Sequence, residues 1–191
     1  MIRLQTVTGA TGSLGAHVIA QLSTHPNISK IYCLVRARSP EEAANRVQRS
    51  LLQRRLYHPL PLAARSKLIA LPCDLSDPRL GLSDAMYSDI KQHLRSVIHC
   101  AWSVNFNLGL SSFEKDCIAS VCHLLDLCHA VPGPTPASFD FCSSVSTVSR
   151  CPTPEAPETL PELSWAQNMG YAQSKLVAEN FCMKAARTTG I

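Results

Sequence analysis

Thr8-Gly9-Ala10-Thr11-Gly12-Ser13-Leu14-Gly15 follows a short apolar run at residues 2–7 and opens a segment of helical length. A strand that ends in Thr-Gly and passes through a glycine-rich turn into a helix is the context in which such a motif has a mechanism. Gly9 permits the tight turn, Gly12 lets backbone approach a pyrophosphate, and Gly15 allows the helix to pack closely on the strand. The helix expected from Ser13 to about Ser23 then aims its unsatisfied N–H groups and positive dipole end at that anion. The spacing Gly-x-x-Gly-x-x-Gly at the first strand–helix junction therefore predicts a dinucleotide-binding turn.

The pattern outward from this turn alternates short apolar runs with helical segments, which predicts a parallel sheet covered by helices. Expected strands are Ile31–Val35, Leu68–Leu71, Ser96–Cys100 and Ala137–Cys142. Helices are expected from Pro40 to about Leu56, near Ser83–Leu94, from about Ser111 to Ala130, and from about Asn168 to Thr188. Ser39 suits the N-cap of the first of these, with Pro40 behind it and Glu41 and Glu42 complementing the dipole. The proline-rich stretch 151–163 reads as a loop. The fold class expected is α/β, a doubly wound Rossmann sheet in the order 3-2-1-4-5, with residues 1–191 forming one domain.

At the end of the second strand, an NAD-preferring protein would carry an acidic residue for the ribose hydroxyls. This chain has Arg36, with Arg38 behind it and Arg46 on the following helix. Guanidinium groups there suit a 2′-phosphate, so NADPH is the expected cofactor. Asp74, after the third strand, has two readings: acceptor from an adenine amino group, or turn cap.

Tyr171 and Lys175 are four residues apart on the last predicted helix and share a face. A phenol ordinarily holds its proton until about pH 10, and a neighbouring ammonium favours the phenolate. The lysine can also hold ribose hydroxyls. Phe141-Cys142-Ser143-Ser144-Val145-Ser146 supplies hydroxyls where strand ends meet a ligand crevice, and one of them can polarise a carbonyl. Ser144 is preferred over Ser143 and Ser146. His99, on an apolar strand, reads as a satisfied core histidine before a catalytic one.

Composition limits the alternatives. Of 191 residues, 46% are apolar and 17% charged, and the net charge of +4 is spread along the chain, which argues against a nucleic-acid partner. Nine cysteines occur without a Cys-x-x-Cys spacing, so neither a zinc site nor a disulfide framework is expected. The N-terminus lacks the layout of a signal or transit peptide, and no apolar run reaches spanning length, so a cytoplasmic, non-membrane protein is expected.

Gly-rich turn, Ser, Tyr and Lys in this order resemble the extended short-chain dehydrogenase/reductases. More narrowly, the chain resembles the thioester reductase domains of fungal peptide-synthetase-like enzymes, aminoadipate reductases and carboxylic acid reductases. The stretches that carry the resemblance are Thr8–Gly15, Ile31–Ala37, Cys73–Leu82, Val97–Phe106 and Gly170–Lys175. It implies hydride transfer from NADPH to an acyl thioester on a phosphopantetheine carrier. Ser144 and Tyr171 would stabilise and protonate the oxyanion, and a hemithioacetal would release an aldehyde, with an alcohol after a second round. Around the cofactor the resemblance places Thr8, Gly9, Thr11, Gly12, Ser13, Leu14 and Gly15 at the turn. Beside them it places Arg36, Arg46, Asp74 and Leu75, then Ala101 and Val104, then Tyr171 and Lys175.

Two departures stand out. Cys117 occupies a position where many extended members have Asn, and, set against the further strands and carboxyl-terminal substrate region with which family members continue, a carboxyl-terminally truncated domain is expected. Against the catalytic reading stand a non-catalytic NADP-binding module and an extended reductase of a free small-molecule carbonyl.

Overall fold

The computed structural model describes residues 3–191; the expected strand start at Ile2 lies outside them. Five parallel strands form one sheet in the order β3-β2-β1-β4-β5, as the alternation of elements predicts. They are β1 (Arg3–Thr8), β2 (Ile28–Val35), β3 (Leu68–Pro72), β4 (Leu94–His99) and β5 (Ser138–Phe141). Strand β2 is apolar on both faces because helices cover both. Its Ile31, Cys33 and Val35 face one core with Val7, Ile19 and Leu51. Tyr32 and Leu34 face the other with Val97, Leu124 and Leu127.

Helices α1 (Ser13–Thr24) and α2 (Pro40–Gln53) lie over the first core. The short α3 (Leu62–Arg65) joins them, an element too brief for periodicity to reveal. On the opposite face lie α4 (Asp84–His93), α5 (Ala119–His129) and α6 (Gly170–Thr189). The α2 start matches its sequence signals: the Ser39 hydroxyl accepts from the Glu42 N–H at 3.2 Å, and Pro40 occupies the first turn.

The single helix expected over Ser111–Ala130 is corrected. The chain winds as a 3₁₀ turn at Leu110–Phe113, a π turn at Glu114–Ile118, and only then as α5. The changed winding buries Phe113 and sets Cys117 and Ser120 against the sheet end, where Cys117 Sγ accepts from the Ser103 N–H at 3.4 Å. Apolar spacing over so few residues cannot separate these windings. Among the described residues, no helix is long and apolar enough to cross a membrane.

Gly170 fixes how α6 enters the site. A Cβ there would lie 2.4 Å from the Leu108 carbonyl oxygen and 2.6 Å from the Leu110 nitrogen, both backbone atoms that cannot swing aside. Gly170→Ala is expected to cost on the order of 1–3 kcal/mol, as overpacking of a close contact does, measurable as a lower denaturation midpoint.

Candidate functional site

The strand order reverses direction at β1, with β2 on one side and β4 on the other, and a crevice opens at the carboxyl ends there. The cleft has a volume of about 580 Å³. At its centre the glycine turn is held by the Gly12 N–H donating to the Gly9 carbonyl at 2.9 Å. Gly9 has φ +71°, and a Cβ on it would sit 2.7 Å from the Ala101 nitrogen, so turn and β4 end meet backbone to backbone. Gly15 is pressed against the Gly9 carbonyl in the same way. Helix α1 begins at Gly12 with no side chain capping it, which leaves its first N–H groups directed into the cleft. An uncapped helix start beside a backbone-only turn fits a dinucleotide pyrophosphate.

Thr11, Ser13 and Leu14 line the cleft with the three glycines, but Thr8 does not. Its side chain is fully buried, with Oγ1 accepting from the Ala101 N–H at 3.1 Å and lying 2.7 Å from His99 Nδ1. Its hydroxyl ties β1 to β4, because a polar group buried there must find partners.

Arg36 and Arg46 both line the cleft, and Arg46 Nη1 donates to the Arg36 carbonyl. Asp74 and Leu75 lie beside them. Asp74 Oδ1 accepts from the Ser76 N–H at 2.9 Å and the Ser76 hydroxyl at 2.7 Å, so it caps a turn, and these bonds hold its carboxyl below the usual range. Ala101 and Val104 line the far wall, and Val104 is exposed. The thiol of Cys117 also faces the cleft.

Beneath this wall His99 is a satisfied core histidine. It stacks between Phe139 and Phe141, its Nε2 lies 3.4 Å from the Ser120 hydroxyl, and burial lowers it to about 3. An imidazole so held stays neutral at physiological pH.

Lys175 is buried, 3% exposed, with no carboxylate within ion-pair distance among the described residues. Its Nζ donates to the Cys142 carbonyl at 2.6 Å and lies over the rings of Trp102 and Phe141, 4.1 and 4.6 Å from their centroids. Burial pulls it down to about 8. The Cys142 carbonyl is available because β4 and β5 part at this point: the Ala101 N–H that would continue the ladder bonds Thr8 instead. Trp102 in turn donates from Nε1 to the Ser174 hydroxyl at 3.3 Å, anchoring α6.

Tyr171 lies one turn before Lys175 and lines the same cleft. Its ring meets Phe106 and Phe113 edge-on, at 5.1 and 6.4 Å. Of the three candidate serines, Ser143 lines the cleft, whereas Ser144 and Ser146 do not. Ser143 donates to the Glu179 carboxylate. The Ser144 oxygen accepts from the Ser146 N–H at 3.2 Å and the Ser146 hydroxyl at 2.9 Å, capping a 3₁₀ turn. With its lone pairs occupied, the Ser144 proton has no acceptor among the described residues. Sequence reasoning missed Trp102, Phe106, Phe113 and Glu179, whose relation to the site depends on chain crossings that periodicity does not encode.

Comparison with known proteins agrees with this geometry. The family model described as "Male sterility protein" (NAD_binding_4) matches residues 7–191. The chain is 34% identical over 185 residues to the adenylate-forming reductase Nps10 of Heterobasidion annosum, covering 96% of this chain and 17% of that protein. It is 35% identical over 180 residues to the non-reducing polyketide synthase dbaI of Emericella nidulans, covering 91% and 7%. Among solved structures, the terminal R domain from the myxalamid PKS-NRPS pathway superposes with a TM-score of 0.81 at 28% identity, covering 97% of this chain and 46% of that one. The chain thus spans under a fifth of the first two relatives and about half of that reductase domain. The chain belongs to the male sterility protein family, as an NAD(P)-binding Rossmann domain of the thioester reductase type, within the extended short-chain dehydrogenase/reductases.

Proposed function

We infer that this domain carries out NADPH-dependent reductive release of an acyl thioester held on a phosphopantetheine carrier. The observation that carries the reading is one cleft that joins an uncapped helix start, Arg36 and Arg46 at one end, and Tyr171 with buried Lys175 at the other. The relatives named above, an adenylate-forming reductase and a polyketide synthase, support the carrier-bound substrate.

When bound, the reduced nicotinamide supplies the hydride. The backbone N–H groups at Ser13 and Leu14 hold the pyrophosphate, and Arg36 with Arg46 holds the 2′-phosphate. Ser144, next to the cleft-lining Ser143 and with its own proton unclaimed among the described residues, would turn that proton to the substrate carbonyl and stabilise the oxyanion. Tyr171 donates its proton to that oxygen. Lys175 favours departure of the tyrosine proton and takes the ribose hydroxyls. Collapse of the hemithioacetal frees the carrier thiol and an aldehyde, and a second round gives the alcohol.

Titration with NADPH followed by absorbance decay on an acyl-pantetheine thioester tests this. Saturable binding with oxidation supports it; tight binding without oxidation would leave a cofactor-binding module. Oxidation on a free ketone but on no thioester would reassign the substrate. Arg36→Asp is expected to weaken NADPH about 10–100-fold by removing a charge-assisted contact and adding repulsion, with a much smaller change for NADH. Equal losses for the two cofactors would remove Arg36 from the phosphate site.

A further inference from the structure

The carboxyl ends of β4 and β5 carry a pair of thiols. The Cys142 N–H donates to the His99 carbonyl at 3.1 Å, which extends the parallel register His99↔Phe141 by one step and sets Cys100 opposite Cys142. Both residues line the cofactor cleft, and the pairing puts their side chains on the same face of the sheet. Adjacent strands about 4.8 Å apart fall inside the roughly 4.4–6.8 Å Cα separation that a disulfide spans. Immediately beyond the pair the strands separate, since Ala101 bonds Thr8 and the Cys142 carbonyl goes to Lys175. The pair is therefore held by the ladder on one side only.

The Lys175 ammonium lies beside Cys142, its Nζ donating to that residue's carbonyl at 2.6 Å. Cys142, the residue that this cation adjoins, takes the first step. Burial pushes the Cys100 thiol up to about 11, which keeps it protonated against a disulfide from solution and leaves it the intramolecular second step, where proximity offsets its small thiolate fraction. Cys117, the third thiol of the cleft, is engaged by the Ser103 N–H.

We propose that Cys100 and Cys142 form a redox-active dithiol on the floor of the cofactor cleft, oxidised by a low-molecular-weight disulfide to a reversible cross-strand disulfide and shielded by bound dinucleotide. The Cys142 thiolate attacks one sulfur of the small disulfide, forming a mixed disulfide and releasing one thiol. The Cys100 sulfur then attacks Cys142 Sγ and releases the second thiol. Two electrons pass to the small disulfide, and the two protein protons leave on the released thiols. The closed pair draws the strand ends together where the dinucleotide would lie; that consequence rests on the cofactor reading above.

The whole chain is incubated with glutathione disulfide, alkylated, and mapped as peptides without reduction. The expected product is a peptide joining Cys100 to Cys142, lighter by two hydrogens and opened by dithiothreitol. NADPH at ten times its Kd is expected to slow its formation about tenfold, since only the free protein reacts. In Cys100→Ser, the mixed disulfide on Cys142 should persist. Glutathione on both residues without a link, or a link confined to other cysteines such as Cys151 and Cys182, would overturn the proposal. The linked peptide is read in the wild-type chain without cofactor, so loss of the cofactor reading and loss of the dithiol are told apart.

Discussion

Tyr171→Phe is expected to lower turnover about 10²–10⁴-fold, the usual contribution of a positioned proton donor, while changing NADPH affinity less than about twofold. The phenol oxygen has no partner among the hydrogen bonds of the described residues, so removing it orphans no buried group. The ring stays in place because its packing is apolar, edge-on to Phe106 and Phe113. The fold and the turn at Gly9–Gly15 are untouched, and cofactor binding should survive. Stopped-flow absorbance of NADPH with a thioester substrate, beside a binding titration, separates the two effects. Turnover close to wild type would take Tyr171 out of the chemistry.

Lys175→Met is expected to reduce turnover by a similar factor, and it also changes how stability depends on pH. Methionine matches the volume and keeps contact with Trp102 and Phe141, but it loses the hydrogen bond to the Cys142 carbonyl. That orphaned carbonyl costs about 1–3 kcal/mol, opposed by relief of the buried charge. Lys175 titrates at about 8 in the fold against an ordinary 10.5, so the unfolded chain holds its proton more tightly. Below about pH 8 both states are protonated and Lys175 adds no slope. Between about 8 and 10.5 the unfolded form of Lys175 binds more protons, so this residue adds a contribution that rises with pH by up to about 3 kcal/mol, set against the falling contribution of buried thiols such as Cys33 and Cys128, which burial pushes up to about 12. Lys175→Met should remove that contribution, read as the difference between variant and wild-type denaturation midpoints measured across the window. For the wild type, kcat/KM should fall as pH passes about 8, where the free enzyme loses the ammonium. A profile flat to pH 10 would contradict the role given to Lys175.

The elements that proved legible were those whose signals are local. The glycine spacing, the Ser39-Pro40 cap and the five apolar runs each depend on neighbours a few residues away, and together they fix the 3-2-1-4-5 sheet. The Tyr171–Lys175 pairing is likewise a matter of helical period. The break in the helix before α5 was not legible, because 3₁₀, π and α windings differ by less than one residue per turn over a segment this short. Gly170 was part of a quoted motif, yet its reason is the backbone of Leu108 and Leu110, about sixty residues away.

Residue types and their spacing along the chain thus determined the sheet, the cofactor-binding turn and the set of chemical groups available, because propensity, capping and period act over one or two turns. Tertiary structure decided which way those groups point. It turned Thr8 into the sheet, gave Ser143 to Glu179 and the Ser144 oxygen to Ser146, and sank Lys175 among Trp102, Phe141 and the Cys142 carbonyl. The Thr8 and Lys175 contacts follow from where the ends of β4 and β5 part. A buried polar group must take whichever partner that geometry offers.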